Sequence, residues 1–441
     1  MSQPATRPST APGASPEPLD VGLVASLRGL DRNGRLLFTT RVLRLFGYGF
    51  LAVVLVLYLA ARGLDAGPIG LILTLTLLGD VAISLWLTTR ADRIGRRKVL
   101  IVGSLLMVAA GIVFASTDVV LILVLAGAIG VISPTGNEVG PFLAVEQAAL
   151  SETIPDARRT ATFAWYNLAG YVATAVGALI AGLLSQGLLA AGFAPVDAYR
   201  AVVIGYAGIG VAMAAVFALV GPAVEPPPAP RTKDHRRLGL TDRSRGVIAR
   251  LSALFALDAF GGGFIPQSLM AYWFHLRFGV EPAALGAIFF AANLLAAVSS
   301  LSASRIAARI GLIRTMVFTH LPSNILLILV PLMPTLPLAV LVLLARFSLS
   351  QMDVPTRQSY VISVVRPDER SAAAGVTGTA RSVGASISPV IAAPLVASAG
   401  MTALPFYLAG GFKILYDLLL YRAFTSGRAP DERDSSTART G

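Results

Sequence analysis

The chain contains no cysteine, so neither a disulfide nor a thiolate-held metal enters its chemistry. Charge is scarce as well. Only 14% of the 441 residues are Asp, Glu, Lys or Arg, against about a quarter in an ordinary soluble chain. So few charges cannot cover a soluble protein of this size. No G-x-x-x-x-G-K-[ST] loop is present, which argues against ATP hydrolysis. The three histidines, His235, His275 and His320, are scattered and form no H-E-x-x-H. Tyr416-Asp417 has no G-x-G-D companion, because Asp80 follows Leu-Leu-Gly, and this sets aside an intramembrane aspartyl protease. The sequence therefore gives no enzyme, no cofactor and no metal site.

What is present is apolar. Hydrophobic residues make up 55% of the chain and mean hydropathy is +0.72. Runs of about 20 such residues recur, long enough to cross a hydrocarbon core of about 30 Å as helix. They are continuous, not alternating, which favours helices over a β-barrel. The reading is an all-α membrane protein with twelve transmembrane helices. They are expected near 36–61, 67–90, 98–116, 119–149, 157–187, 198–221, 247–275, 282–306, 313–333, 336–364, 371–398 and 402–424. The expected organisation is a disordered tail (1–30), a six-helix bundle (31–221), a Pro- and Arg-rich linker (222–246), a second six-helix bundle (247–425) and a second tail (426–441). The net charge of +12 collects in alternate loops, at Arg90, Arg93, Arg96, Arg97 and Lys98, at Arg158 and Arg159, at Arg305, Arg309 and Arg314, and at Arg366 and Arg370. Such loops stay on the cytoplasmic side. Both termini are expected there, in the cytoplasmic membrane, and a nucleic-acid partner is not. The lipid bilayer is the expected partner, with the chain acting as a monomer.

Three patterns repeat in order at an offset of about 214 residues. FGYGF (46–50) returns as FGGGF (260–264), with Arg44 before the first and Asp258 before the second. TTRADRIGRRK (88–98) returns as SRIAARIGLIR (304–314), with A-x-R-I-G shared. IPDARR (154–159) returns as RPDER (366–370), and just upstream Glu146-Gln147 aligns with Arg357-Gln358. Two halves of like orientation imply pseudo-two-fold bundles around a midplane site. With its central basic linker and the D-R-x-G-R-R-K string after the second helix, the sequence resembles the major facilitator superfamily over about residues 30–425. It departs at Thr88, where the family has glycine, and at Ala308, which takes the place of Asp92 in the second copy.

The resemblance implies a secondary transporter that alternates access to a cavity lined by helices one, four, seven and ten. It also implies a latch, in which Asp92 reaches the start of helix eleven near Ser371. In that latch Arg96, flanked by Arg93, Gly95 and Arg97, reaches Glu146 or Glu152. Separately, any charge at a helix centre is costly and therefore a functional suspect. By that argument Asp80, Asn137, Glu138, Asp258, Arg44, Asp353 and Arg381 are candidates for the cavity or for proton coupling. Arg44 and Asp258 are expected to approach the axis from opposite sides. Lys413 and Asp417, one turn apart, are expected to pair, and Arg41 to snorkel to the surface. The expected activity is proton-coupled export of a small organic solute. The alternatives are proton-coupled uptake and a receptor that keeps the fold without transporting.

Overall fold

The structure, a computed structural model, describes residues 30–424 apart from 139, 155, 226–239 and 367–368. Almost all of both expected tails and the middle of the linker lie outside the described residues. The first bundle contains α1 (Arg32–Ala61), α2 (Ala66–Ile94), α3 (Arg96–Ser116), α4 (Val120–Ile129), α5 (Phe142–Thr153), α6 (Asp156–Ala190) and α7 (Pro195–Ala218). The second contains α8 (Asp242–Gly263), α9 (Gln267–Phe278), α10 (Pro282–Ile310), α11 (Leu312–Leu329), α12 (Leu336–Phe347), α13 (Asp353–Ser363), α14 (Arg370–Ile387), α15 (Pro389–Ala397) and α16 (Leu404–Phe424). Among the described residues, nine segments are individually long and apolar enough to cross a membrane. Spans four (α4 with α5) and ten (α12 with α13) complete the twelve by joining shorter pieces, and span twelve is α16, with Lys413 and Asp417 near its centre.

Prolines and glycines in SPTGNEVGP make irregularity tolerable in span four, and the structure has it there; spans seven, ten and eleven, expected as continuous helices, are also broken. Span four is irregular over 130–138 and 140–141, where Pro134 and Pro141 lack the N–H a helix needs and Gly136 and Gly140 take positive φ. Span ten breaks over 348–352, the corresponding place in the second half. Span seven breaks at Phe264–Pro266 between α8 and α9, and span eleven at Ser388, before Pro389. Irregular backbone at membrane depth is tolerated where protein groups satisfy it. At these breaks Tyr206 donates to the Val131 carbonyl at 2.7 Å and Ser388 donates to the Phe260 carbonyl at 2.5 Å.

Between helices in a bilayer, lipid tails are as apolar as leucine, so association relies on close packing. Glycine supplies it. A Cβ on Gly49 would stand 2.1 Å from the Thr174 carbonyl oxygen, and one on Gly177 2.1 Å from that of Phe46, so α1 and α6 touch backbone to backbone. In the second half, a Cβ on Gly263 would stand 2.2 Å from the Ala385 oxygen and one on Gly384 2.3 Å from that of Ala256, so α8 and α14 pack the same way. The recurring glycine-aromatic pattern is thus a packing device used twice. Gly95 and Gly311 of the A-x-R-I-G repeat also match, both turning between helices at positive φ, +104° and +86°.

At the end away from the Arg-rich loops the bundles touch backbone to backbone. A Cβ on Gly70 of α2 would lie 2.8 Å from the Pro389 oxygen, and one on Gly182 of α6 2.9 Å from Gly286 Cα on α10. Thr74 Oγ1 accepts the N–H of Val390 at 3.0 Å.

Candidate functional site

Each bundle carries a buried charge cluster at mid-depth. In the first, Arg44 on α1 reaches span four with every nitrogen. Its Nη1 and Nη2 donate to Glu146 at 2.6 and 2.7 Å, and its Nε donates to Glu138 at 2.7 Å. Arg41 pairs with the other oxygen of Glu138 instead of snorkelling. Thr40 donates to Glu146 at 2.9 Å, and the Tyr166 hydroxyl donates to it from α6. Phe142 closes the arginine face, 4.9 Å from the guanidinium carbon. Glu146 and Arg44 are fully buried, and Glu138 is 18% exposed. Glu146 was expected beside Arg96 in the latch. It lies inside the membrane-depth cluster because Phe142, Val145, Glu146 and Ala149 share the buried face of α5.

In the second bundle Asp258 on α8 is the hub. Lys413 of α16 donates to it at 2.7 Å and Arg381 of α14 at 2.8 Å, while Arg357 of α13 and His320 of α11 each stand 3.7 Å away. Arg357 is held by Asp353, one turn earlier on α13, at 2.6 Å. Lys413 therefore does not pair with Asp417. Its side chain runs along the bare backbone of Gly261 and Gly262, where added Cβ atoms would lie 3.1 and 3.6 Å from it. In the first half Tyr48 occupies the place of Gly262. Asp417 instead pairs with His320 Nδ1 and accepts from Asn324 Nδ2, each at 2.9 Å. His320 and Asn324 escaped the sequence reading, which weighed histidines only as metal ligands. The available signal was a titratable residue eight positions on from Leu312, the start of an apolar helix. Arg44 and Asp258, read as facing each other across the axis, each pair within their own bundle.

Asp80 on α2 has a different role. Its Oδ1 accepts the N–H of Gly140 at 2.5 Å and the Ser84 hydroxyl at 3.2 Å, which ties α2 to the break in span four. Both bonds fall on Oδ1, and no cation pairs with Asp80 among the described residues. Asn137, in the same break, is exposed, and its amide contacts the Thr135 carbonyl at 3.4 Å.

The D-R-x-G-R-R-K loop is knit within the first bundle. Asp92 is 67% exposed and accepts from Arg96, one turn on, at 3.0 Å; it does not reach the start of α14. Arg96 stands 3.6 Å from Glu152 and donates to the Val224 carbonyl at 3.1 Å. Arg93 is exposed, and Arg97 donates to the Ala218 carbonyl. The anion on the α3 N-terminus is Glu225, which the sequence reading missed. It accepts the N–H groups of Arg96 and Arg97 at 2.7 and 3.1 Å, where free amides favour negative charge. The second bundle has its own carboxylate clip. Glu369 accepts from the Ser244 hydroxyl at 2.6 Å and the Thr241 N–H at 2.5 Å, and the Ser244 bond above all lowers its carboxyl to about 2.

Two cavities flank the clusters. One of ≈ 470 Å³ lies between α1 and α6, lined by Phe38, Phe46, Trp165 and Leu168 among others. One of ≈ 570 Å³ lies at the far end, lined by residues that include Tyr199, Tyr272, His275 and Glu281. No ionisable member of either cluster lines them.

The family profile described as Major Facilitator Superfamily matches residues 37–389 and also 264–440. An uncharacterized membrane protein of Saccharomyces cerevisiae, YJR124C, is 30% identical over 419 residues, 88% of this chain and 93% of that one. Among solved structures, the fold is similar to that of a bacterial homolog of the human lysosomal transporter Spinster in an inward-facing and occupied conformation. The TM-score is 0.69 with 15% identity, covering 89% of this chain and 97% of that one. It is also similar to a D-xylose-proton symporter, with a TM-score of 0.66 and 13% identity over 88% and 97% of the two chains. At such identities the likeness covers the fold alone.

Proposed function

Since the chain belongs to the major facilitator superfamily, we propose that it moves a small organic solute across the cytoplasmic membrane by alternating access, driven by protons, with Asp80 as the proton-exchanging group. Four carboxylates were candidates for that role, and Asp353 is held by Arg357 at 2.6 Å. Glu138 and Asp258 are each engaged by two cations, so protonating either one disrupts ion pairs. Asp80 makes no ion pair among the described residues and keeps Oδ2 free of donors, so it accepts a proton without breaking one. That observation carries the proposal. Its bond to Gly140 links a proton on α2 to the backbone that holds Glu138, and so to α1. A proton moving down 100 mV supplies about 2.3 kcal/mol, enough to drive a modest solute gradient.

Rocking would open the glycine-rich contacts at the far end, while the loop network around Arg96 keeps the first bundle rigid at the basic end. The monomer is the working unit and both termini face the cytoplasm. Export is the proposed direction. Uptake is the second reading.

The test is purified protein in liposomes under an imposed pH gradient, screened against solute pools in both directions. Solute-dependent proton flux is expected. Asp80→Asn is expected to keep solute exchange and lose its dependence on the gradient. Full coupling in that variant would remove Asp80 from the mechanism.

A further inference from the structure

Arg346 stands apart from the other cations inside the spans. It lies ten residues into span ten from Leu336, a depth of roughly 15 Å at about 1.5 Å per residue, close to the middle of the bilayer. Each of the others at comparable depth has a carboxylate: Arg41 and Arg44 have Glu138 and Glu146, Arg357 has Asp353, and Arg381 and Lys413 share Asp258. Arg346 pairs with none among the described residues. Asp258 and Asp353 are within its electrostatic reach, but both are already engaged. Its guanidinium carbon lies 5.0 Å from the Phe347 ring centroid, and its Nε is buried without a hydrogen-bond partner. The end of α12 and the aromatic face favour a cation there, but neither supplies a counter-charge. One turn on, at the break in span ten, Ser350 is buried and its hydroxyl also lacks a partner.

The charge count agrees. Deep in the second bundle, the four cations Arg346, Arg357, Arg381 and Lys413 outnumber the three carboxylates Asp258, Asp353 and Asp417 by one. An unpaired cation and an unpaired hydroxyl at one helix break, at membrane depth, are what an incoming anion completes.

We propose that the solute is an organic anion whose acidic group pairs with Arg346, with the Ser350 hydroxyl as a second donor. The inference rests on the transport reading above and names the substrate class for it. The test uses the full chain in liposomes and a matched set of solutes, namely organic acids, their neutral amides and the corresponding amines, beginning with benzoate, benzamide and benzylamine. Transport is expected for acids and not for their amides or amines. Arg346→Gln is expected to raise KM for a transported acid at least about tenfold, the scale of a lost hydrogen bond to a charged group, and Ser350→Ala about two- to tenfold. Arg346→Lys keeps the charge and is expected to restore part of the loss, which separates anion binding from a packing defect. Transport of amides or amines, or of acids with unchanged KM in Arg346→Gln, overturns the inference and leaves the transport reading standing. A set in which no solute of any charge moves overturns both.

Discussion

The two bundles solve one problem with opposite signs. In the first, the cation is on span one and the carboxylate on span four; in the second, the carboxylate is on span seven and the guanidinium on span ten. Arg44 aligns with Asp258 and Glu146 with Arg357, so the span-to-span pairing recurs while the charges exchange places. The outcomes differ. The first pair is bidentate at 2.6 and 2.7 Å, with Thr40 and Tyr166 filling the rest of Glu146. The second is stretched to 3.7 Å, because Lys413 and Arg381 already hold Asp258. A pair in which every oxygen of the carboxylate and every nitrogen of the guanidinium is bonded acts as a rigid joint. A branched hub can trade one cation for another, as a cluster must if it takes part in a cycle.

Removing a partner from the saturated pair is therefore expected to have the largest effect. Glu146→Ala leaves Arg44 buried and held only by Glu138. Arg41 and Arg44 then share the single carboxylate of Glu138, which leaves one buried positive charge uncompensated, and the expected loss is about 3–5 kcal/mol, read as a lower unfolding midpoint of the purified protein. An unchanged midpoint would break the distinction between the clusters. Lys413→Met makes the matching cut in the branched hub. Asp258 keeps Arg381 at 2.8 Å, so the expected loss is smaller, about 1.5–3 kcal/mol, the net worth of one hydrogen bond to a charged group. A drop as large as that of Glu146→Ala would mean the hub has no redundancy.

This contrast also marks what the sequence disclosed. Composition and apolar run length were enough for twelve spans, and three ordered repeats were enough for two bundles. The residues at helix centres were legible as costly charges. Their partners were not, because pairing depends on how each helix is rotated about its axis. Lys413 and Asp417 are neighbours by spacing, yet Lys413 leaves toward Asp258 along a groove that exists only because Gly261 and Gly262 have no side chains. The irregularity of span four was legible in the prolines and glycines of SPTGNEVGP, but its tertiary acceptor, Asp80, was not, and the breaks in spans seven, ten and eleven were hidden for the same reason.

The carboxylate clips at the basic end compare the bundles more gently. Glu369 ties α8 to the start of α14, with its carboxyl lowered to about 2 from an ordinary 4.5. A carboxyl lowered on folding stabilises fully above its unfolded value, and the contribution disappears as pH falls through the folded one. The wild-type unfolding midpoint is therefore expected to fall more steeply than that of Glu369→Gln between about pH 4.5 and 2. Parallel curves would show that the Ser244 and Thr241 bonds do not select the ionised form.

The smallest effect is expected where the family signature is strongest. Asp92 is mostly exposed and its partner Arg96 has Glu152 and the Val224 carbonyl besides. An exposed pair one helical turn apart contributes about 0.3–0.5 kcal/mol, so Asp92→Asn is expected to leave the unfolding midpoint nearly unchanged. If Asp92 latches the bundles in another facing state, its removal alters the balance of states without altering stability in this one. Single-cysteine probes in this cysteine-free chain, placed near the two membrane surfaces, can measure that balance. A changed labelling ratio at constant midpoint would assign Asp92 to a conformation other than the one described. An unchanged ratio would leave the α3 end to Glu225, whose two backbone bonds at 2.7 and 3.1 Å do not involve Asp92.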